Sequence, residues 1–179
     1  MEYVLLMLGP LLAHNVMLES GLGLCPVFGA TERRCGVMRV TLASAFMLLV
    51  AAAAAHVIEA LFLVPLELDH LRLVAFLLVI GATAPLVCNR LSVPRALVTT
   101  NSAVLGVALL ALDAAPTLLE TLLYAIGAAF GLALVTALIA EHAERLAAAP
   151  VPAPFRGAPI VLVTLGITAL AFMGFTGVG

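Results

Sequence analysis

Apolar residues run along this chain in long blocks, broken only by short polar joints, with no sustained two-residue alternation that would mark strands. A helix that crosses a bilayer needs roughly 20 mostly apolar residues. Six blocks meet or approach that length: Tyr3–Leu24, Arg39–Val64, Leu73–Asn89, Ala96–Leu112, Thr117–Ala140 and Gly157–Gly179. The third and fourth are the shortest. The joints are "TERRCGVMR", "PLELDHLR", "NRLSVPR", "DAAP" and "EHAERLAAAPVPAPFR". The pattern predicts an all-α integral membrane protein with six transmembrane helices.

Composition narrows the class further. The chain of 179 residues is 64% hydrophobic and 10% charged, with a mean hydropathy of +1.25. A soluble domain of that make-up would have a largely greasy surface. The formal charge is −2 and there is no lysine, so nothing attracts nucleic acid. Cys25, Cys35 and Cys88 are scattered and form no disulfide framework. No basic stretch precedes the first apolar block, so it does not read as a cleaved signal peptide.

Charge placement fixes the expected orientation. Seven of the eight arginines, Arg33, Arg34, Arg39, Arg90, Arg95, Arg145 and Arg156, fall in joints one, three and five; only Arg72 lies on the other side. By the positive-inside rule those joints face the cytoplasm, and both termini face the opposite, periplasmic side.

Two of the blocks are interrupted. "GLGLCPVFG", residues 21–29, sets Gly21, Gly23, Cys25 and Pro26 at the end of the first. "TTNSAVLG", residues 99–106, opens the fourth. Cys25-Pro-Val-Phe-Gly29 aligns with Ser102-Ala-Val-Leu-Gly106, 77 residues on, and each stretch is followed by two further spans. The chain therefore divides into a three-helix repeat over 1–90 and a second over 91–179. An odd number of spans per half inverts one half relative to the other. Helices 1 and 4 would be broken, freeing backbone groups that lipid cannot satisfy and that only protein or a bound group can. Two readings stay open at this point. Small residues can serve tight helix packing, or two broken helices can aim their N–H ends at a mid-membrane anion. "GLGL" is no nucleotide-binding loop, because no strand precedes it.

"LGLCPVFG", "TTNSAVLGVALL" and "VPAPFRGAPIVLVTLGITALAFMGF" resemble the family of Rnf and Nqr membrane subunits, in particular the A-type member of the Rnf complex, from Asn15 to Phe175. The resemblance implies a pseudo-symmetric pair with an RnfE-like paralogue, inverted in topology. It also implies a two-iron, two-sulfur (2Fe-2S) cluster between them in mid-membrane, held by two cysteines from each. Electrons from ferredoxin or NADH would cross through it to flavins on the other Rnf subunits (B, C, D and G), coupled to Na+ or H+ movement in the bacterial inner membrane. Carried onto this sequence, the cofactor-binding and metal-ligating positions are Cys25 and Ser102. The family pattern has a cysteine where Ser102 stands, and a serine oxygen is a harder, less acidic ligand for iron than a thiolate. The connector "CNRLSVPRALV" is also shorter than the family's usual one.

Other residues are weighed by position. Glu19, six residues before Cys25, is an acid within a span and a candidate ion or proton group. His14 and Asn15 are expected to make a helix–helix contact. Glu59, Glu67, Asp69, Asp113 and Glu120 gather toward the periplasmic face and read as a solvated rim. Cys35 reads as a surface thiol. No flavin-attachment or nicotinamide signature appears, so the chain is expected to hold no catalytic site of its own and to serve as part of an electron wire. The alternative is a stand-alone transporter of ions or small solutes on the same repeat, without a cofactor.

Overall fold

The computed structural model describes residues 2–24, 34–63, 71–91, 98–99, 101–115 and 117–175. All regular structure among them is helical. The elements are α1 (Glu2–Leu8), a π-helical turn (Gly9–Ala13), α2 (Val16–Ser20), α3 (Arg34–Ile58) continued by a second π turn (Glu59–Leu63), α4 (Arg72–Leu91), α5 (Ser102–Ala114), α6 (Leu118–Ala147) and α7 (Ala158–Phe172). Short 3-10 turns precede and follow α7, at Ala153–Phe155 and Met173–Phe175.

Three stretches are long and apolar enough to cross a bilayer: Val37–Leu63, Arg72–Arg90 and Leu118–Leu146, of 27, 19 and 29 residues. They match the second, third and fifth predicted spans. The apolar helices Ser102–Ala114 and Ala158–Phe172 are shorter, and the first predicted span is divided into three short pieces. The protein is thus an all-α membrane protein, as expected, with three full-length spans and two shorter apolar helices among the described residues.

α6 is the central post. Its start is fixed by a capping box: Thr117 Oγ1 accepts the Glu120 N–H while the Glu120 carboxylate accepts the Thr117 N–H. Helices α3 and α5 and the first segment pack around it through Val16, Leu48, Ala52, Val107, Ala125, Ala128 and Ala129. α7 returns antiparallel, setting Val161 and Ile160 against Ile139 and Ala143. Most of these contacts are alanine, valine or glycine, as expected where lipid offers no hydrophobic drive and close backbone approach must do the work. Gly127 and Gly131 show this most sharply. A Cβ on Gly127 would collide with the Met7 carbonyl oxygen, and one on Gly131 would lie 2.8 Å from the Pro10 oxygen and 2.7 Å from Asn15 Nδ2.

The first segment breaks where two residues dictate it. Pro10 lacks an N–H and cannot continue the i→i−4 ladder. The chain widens instead to a π turn closed by the His14 N–H on the Gly9 carbonyl at 2.7 Å. Asn15 then restarts the helix as its N-cap, Oδ1 accepting the Met17 N–H at 3.1 Å, and Nδ2 donates to the Leu11 carbonyl at 3.1 Å. Asn15 thus satisfies the backbone on both sides of the break, and the same Nδ2 lies against α6 at Gly131, the helix–helix contact expected of it.

The solvated rim is corrected in part. Arg72 pairs with Glu59 at 3.1 Å and with Asp113 at 3.0 Å, and its guanidinium lies 5.8 Å from the Phe76 ring centroid. It therefore ties the end of the α3 segment, the start of α4 and the end of α5 at one face. Glu120 is engaged in the α6 cap; Glu67 and Asp69 lie outside the described residues. Arg72 and Glu59 are both about three-quarters covered, so losing one leaves the other partly desolvated. Arg72→Gln should cost about 1–3 kcal/mol, screened below a fully buried pair. Adding Glu59→Gln should recover part of that loss in a detergent melting curve; strictly additive losses would rule out the pairing.

Candidate functional site

The second interruption of the first segment lies at Gly21 and Gly23. Both adopt left-handed backbone conformations, with φ of 65° and 89°, which glycine takes without the penalty that a Cβ brings. Gly21 ends α2 as its C-cap. The chain then turns onto the start of α5. The Gly23 N–H donates to Ser102 Oγ at 3.3 Å across 79 positions of sequence. A Cβ on Gly23 would lie 2.9 Å from Ala103 Cβ and 3.0 Å from Leu132 Cδ1, and one on Gly106 would lie 2.5 Å from Leu22 Cδ1. The two interrupted stretches singled out in the sequence are packed against each other.

Their depth follows from helix geometry. Ser102 lies 11 residues before Asp113 on α5, roughly 17 Å at 1.5 Å per residue, and Asp113 is held at the charged face by Arg72. A hydrocarbon core is about 30 Å thick, so Ser102 falls near its middle. Leu132, which packs with Ala103, stands at the midpoint of α6. The break is a mid-membrane feature.

α5 starts here with the same device as α2. Asn101 is the N-cap, with φ −72° and ψ 103° against −67° and 114° at Asn15, and its Oδ1 accepts the Ala103 N–H at 3.1 Å. Asn101 is 2% exposed, and its Nδ2 has no hydrogen-bond partner among the described residues. A buried donor in that condition costs roughly 1–3 kcal/mol. Hydropathy and motif spacing did not single out Asn101, although an asparagine directly before an apolar run is a helix-start signal. Ser102, the first residue of the helix, is exposed on the surface of the chain. The dipole of the helix start favours negative charge there, but the Gly23 N–H is already donated to Ser102 Oγ and the Ala103 N–H to Asn101 Oδ1.

Of the two expected ligand positions, Ser102 is thus placed at the break, while Cys25 lies outside the described residues, as do Pro26 to Gly29. Among the described residues no three His, Cys, Asp or Glu side chains gather into a metal site. At Gly23 the chain is packed too closely by Ala103 and Leu132 to leave room for even a methyl group, so the described part of the break offers no cavity for a cluster. The donor atom at Ser102 is oxygen rather than sulfur, so this chain supplies only part of a ligand set. Cys88 is 3% exposed within the α3–α4 core beside Met47 and Ala84; the Cys35 side chain lies outside the described residues. Glu19 and His14 meet across the upper break at 3.3 Å, both largely exposed.

A family model described as "Rnf-Nqr subunit, membrane protein" matches residues 3–179. Curated relatives of similar length also align. The A-type subunit of the ion-translocating oxidoreductase complex of Vibrio vulnificus (strain YJ016) is 41% identical, covering 98% of this chain and 97% of the relative. Proteins of the same name from Actinobacillus pleuropneumoniae serotype 5b (strain L20) and Pseudoalteromonas translucida (strain TAC 125) are 43% and 41% identical over the same shares.

Proposed function

Because this chain belongs to the Rnf-Nqr family of membrane subunits, we propose that it is the A-type subunit of an ion-translocating oxidoreductase complex. It carries electrons across the bacterial inner membrane between ferredoxin or NADH and flavin-bearing subunits, coupled to Na+ or H+ movement. The observation that carries this reading is the mid-membrane junction in which the Gly23 N–H meets Ser102 Oγ. A break at that depth is stable only where protein or a bound group satisfies the backbone, and Ser102 opens to the chain's surface, where a second subunit can complete the site.

The chain divides into two inverted three-helix repeats, 1–90 and 91–179, with both termini in the periplasm and the arginine-rich joints in the cytoplasm. Cys25 and Ser102, together with two ligands from an RnfE-like paralogue, would hold a 2Fe-2S cluster at the junction, which would supply one-electron redox chemistry. The protein's own part is to hold that place. Gly21 and Gly23 turn the chain back onto α5, Asn15 and Asn101 cap the helices on either side, and the packed alanines of α3, α5 and α6 exclude water. The remaining Rnf proteins, B, C, D and G, provide entry and exit for the electrons.

The reading is tested on membranes. Cells lacking this chain should lose ferredoxin-driven NAD+ reduction in their membrane fraction and regain it on re-expression. Purified alone in liposomes, the chain should move neither ions nor solutes. Membranes that keep the activity without it, or ion transport by the iron-free chain alone, would contradict the assignment.

A further inference from the structure

The fold sets two ionisable side chains, His14 and Glu19, where such groups are rare. α6 crosses the bilayer over Leu118–Leu146, so residue 132, midway between 118 and 146, marks its middle. Asn15, the chain neighbour of His14, lies against that point: a Cβ on Gly131 would come 2.7 Å from Asn15 Nδ2. Met17 packs with Leu132 and Val135, and Val16 with Ala128 and Ala129. Glu19 follows Met17 by two residues in the same helix α2, a rise of about 3 Å. The hydrocarbon core extends about 15 Å to either side of its middle, so both side chains lie well inside it. They are 62% and 61% exposed on the surface of the chain, and His14 Nδ1 meets Glu19 Oε2 at 3.3 Å. The fold does not need them. The buried side of α2 is Val16 and Met17, and Asn15 and Gly21 manage the backbone at its two ends. An acid and an imidazole turned to lipid at this depth would both be penalised, so in the assembled membrane this surface faces water or protein.

The chemistry of the pair is specific. A carboxylate has no hydrogen to give, so beside ionised Glu19 the hydrogen of the contact belongs to Nδ1, which leaves Nε2 a lone pair. A proton added there turns a negatively charged pair into a neutral one, and either group can give a proton up again. The elements packed on α2 bring little competing charge. α7 has no ionisable side chain, and Asp113 of α5 is held by Arg72 at the far end of its helix. On α6 the Glu19 charge reaches Tyr124, while Glu120, Glu141, His142 and Arg145 stand toward the helix ends. We propose that His14 and Glu19 together form a proton-binding site within the membrane, loaded from one side and emptied to the other as the complex works. The proposal rests on the ion-coupled reading above and requires nothing of the junction between Gly23 and Ser102.

The test uses the complete complex in sodium-free liposomes, following an internal pH dye and NADH formation together during ferredoxin-driven turnover. Glu19→Gln keeps an oxygen for the His14 N–H but cannot take the proton; Glu19→Asp keeps the acid and shortens its reach. A proton-binding site predicts that protons moved per NADH fall to background in Glu19→Gln and survive in Glu19→Asp. A purely structural pair predicts the reverse order. Where Glu19→Gln does not assemble, His14→Asn carries the same readout, because it keeps a donor for the carboxylate and removes the titrating ring; the ratio should fall. An unchanged ratio in either Glu19→Gln or His14→Asn, or a wild type that turns over without moving protons, overturns the site and leaves the electron-carrying reading intact. A wild-type complex that fails to reduce NAD+ contradicts that reading itself.

Discussion

Gly23→Ala is expected to weaken the fold more than other single methyl additions at the break, by roughly 2–5 kcal/mol from left-handed strain and overpacking together. Two separable penalties combine there. At φ 89° the new Cβ crowds its own backbone. It also lands 2.9 Å from Ala103 Cβ and 3.0 Å from Leu132 Cδ1, so α5 and α6 must both give way. The Gly23 N–H bond to Ser102 Oγ would be displaced with them. Gly21 isolates the first penalty, because it has φ 65° and nothing within 4 Å of its Cβ position. Gly21→Ala should therefore lose only about 1–2 kcal/mol. Gly166→Ala, in open space with ordinary helical geometry, should be neutral or slightly stabilising. Circular-dichroism melting of the detergent-solubilised protein reads all three. Gly23→Ala melting like Gly166→Ala would mean that the two breaks are not packed together.

What could be read from the sequence divides along a physical line. Spans two, three and five were legible because uniform hydrophobicity over about 20 residues has few other uses. The turn at Gly21–Gly23 was legible because closely spaced glycines inside an apolar block make little sense except as backbone freedom. The upper break was not foreseen, although Pro10 and Asn15 are its cause; in a membrane block a proline alone is often absorbed without a break. The fourth helix begins at Ser102, six residues later than the apolar run suggests, because Asn101 caps it and hydropathy carries no sign of a cap. Arg72 counted only as the minority charge in the topology. Its pairing with Glu59 and Asp113 depends on three helix ends converging, which no local pattern records. The candidate site was legible as two stretches, and their contact through Gly23 and Ser102 needed coordinates. Asn101 was visible as a letter but not as the buried cap that starts α5.

The second large effect is expected at Cys25. On the proposed assignment, Cys25→Ala removes the thiolate that this chain would bring to the cluster, and an oxygen at Ser102 would not replace it, being a poorer partner for iron. Alanine is smaller than cysteine and brings no new bulk, so the loss should fall on electron transfer rather than on assembly. The deciding measurement is ferredoxin-driven NAD+ reduction by the purified complex reconstituted in liposomes, with subunit composition and iron content determined on the same samples. Wild type should turn over, and the Cys25→Ala complex should assemble with every subunit, lose the iron of the shared cluster and fall to background. A fully assembled Cys25→Ala complex that keeps its iron and its wild-type rate would contradict the claim that electrons cross the membrane at this break.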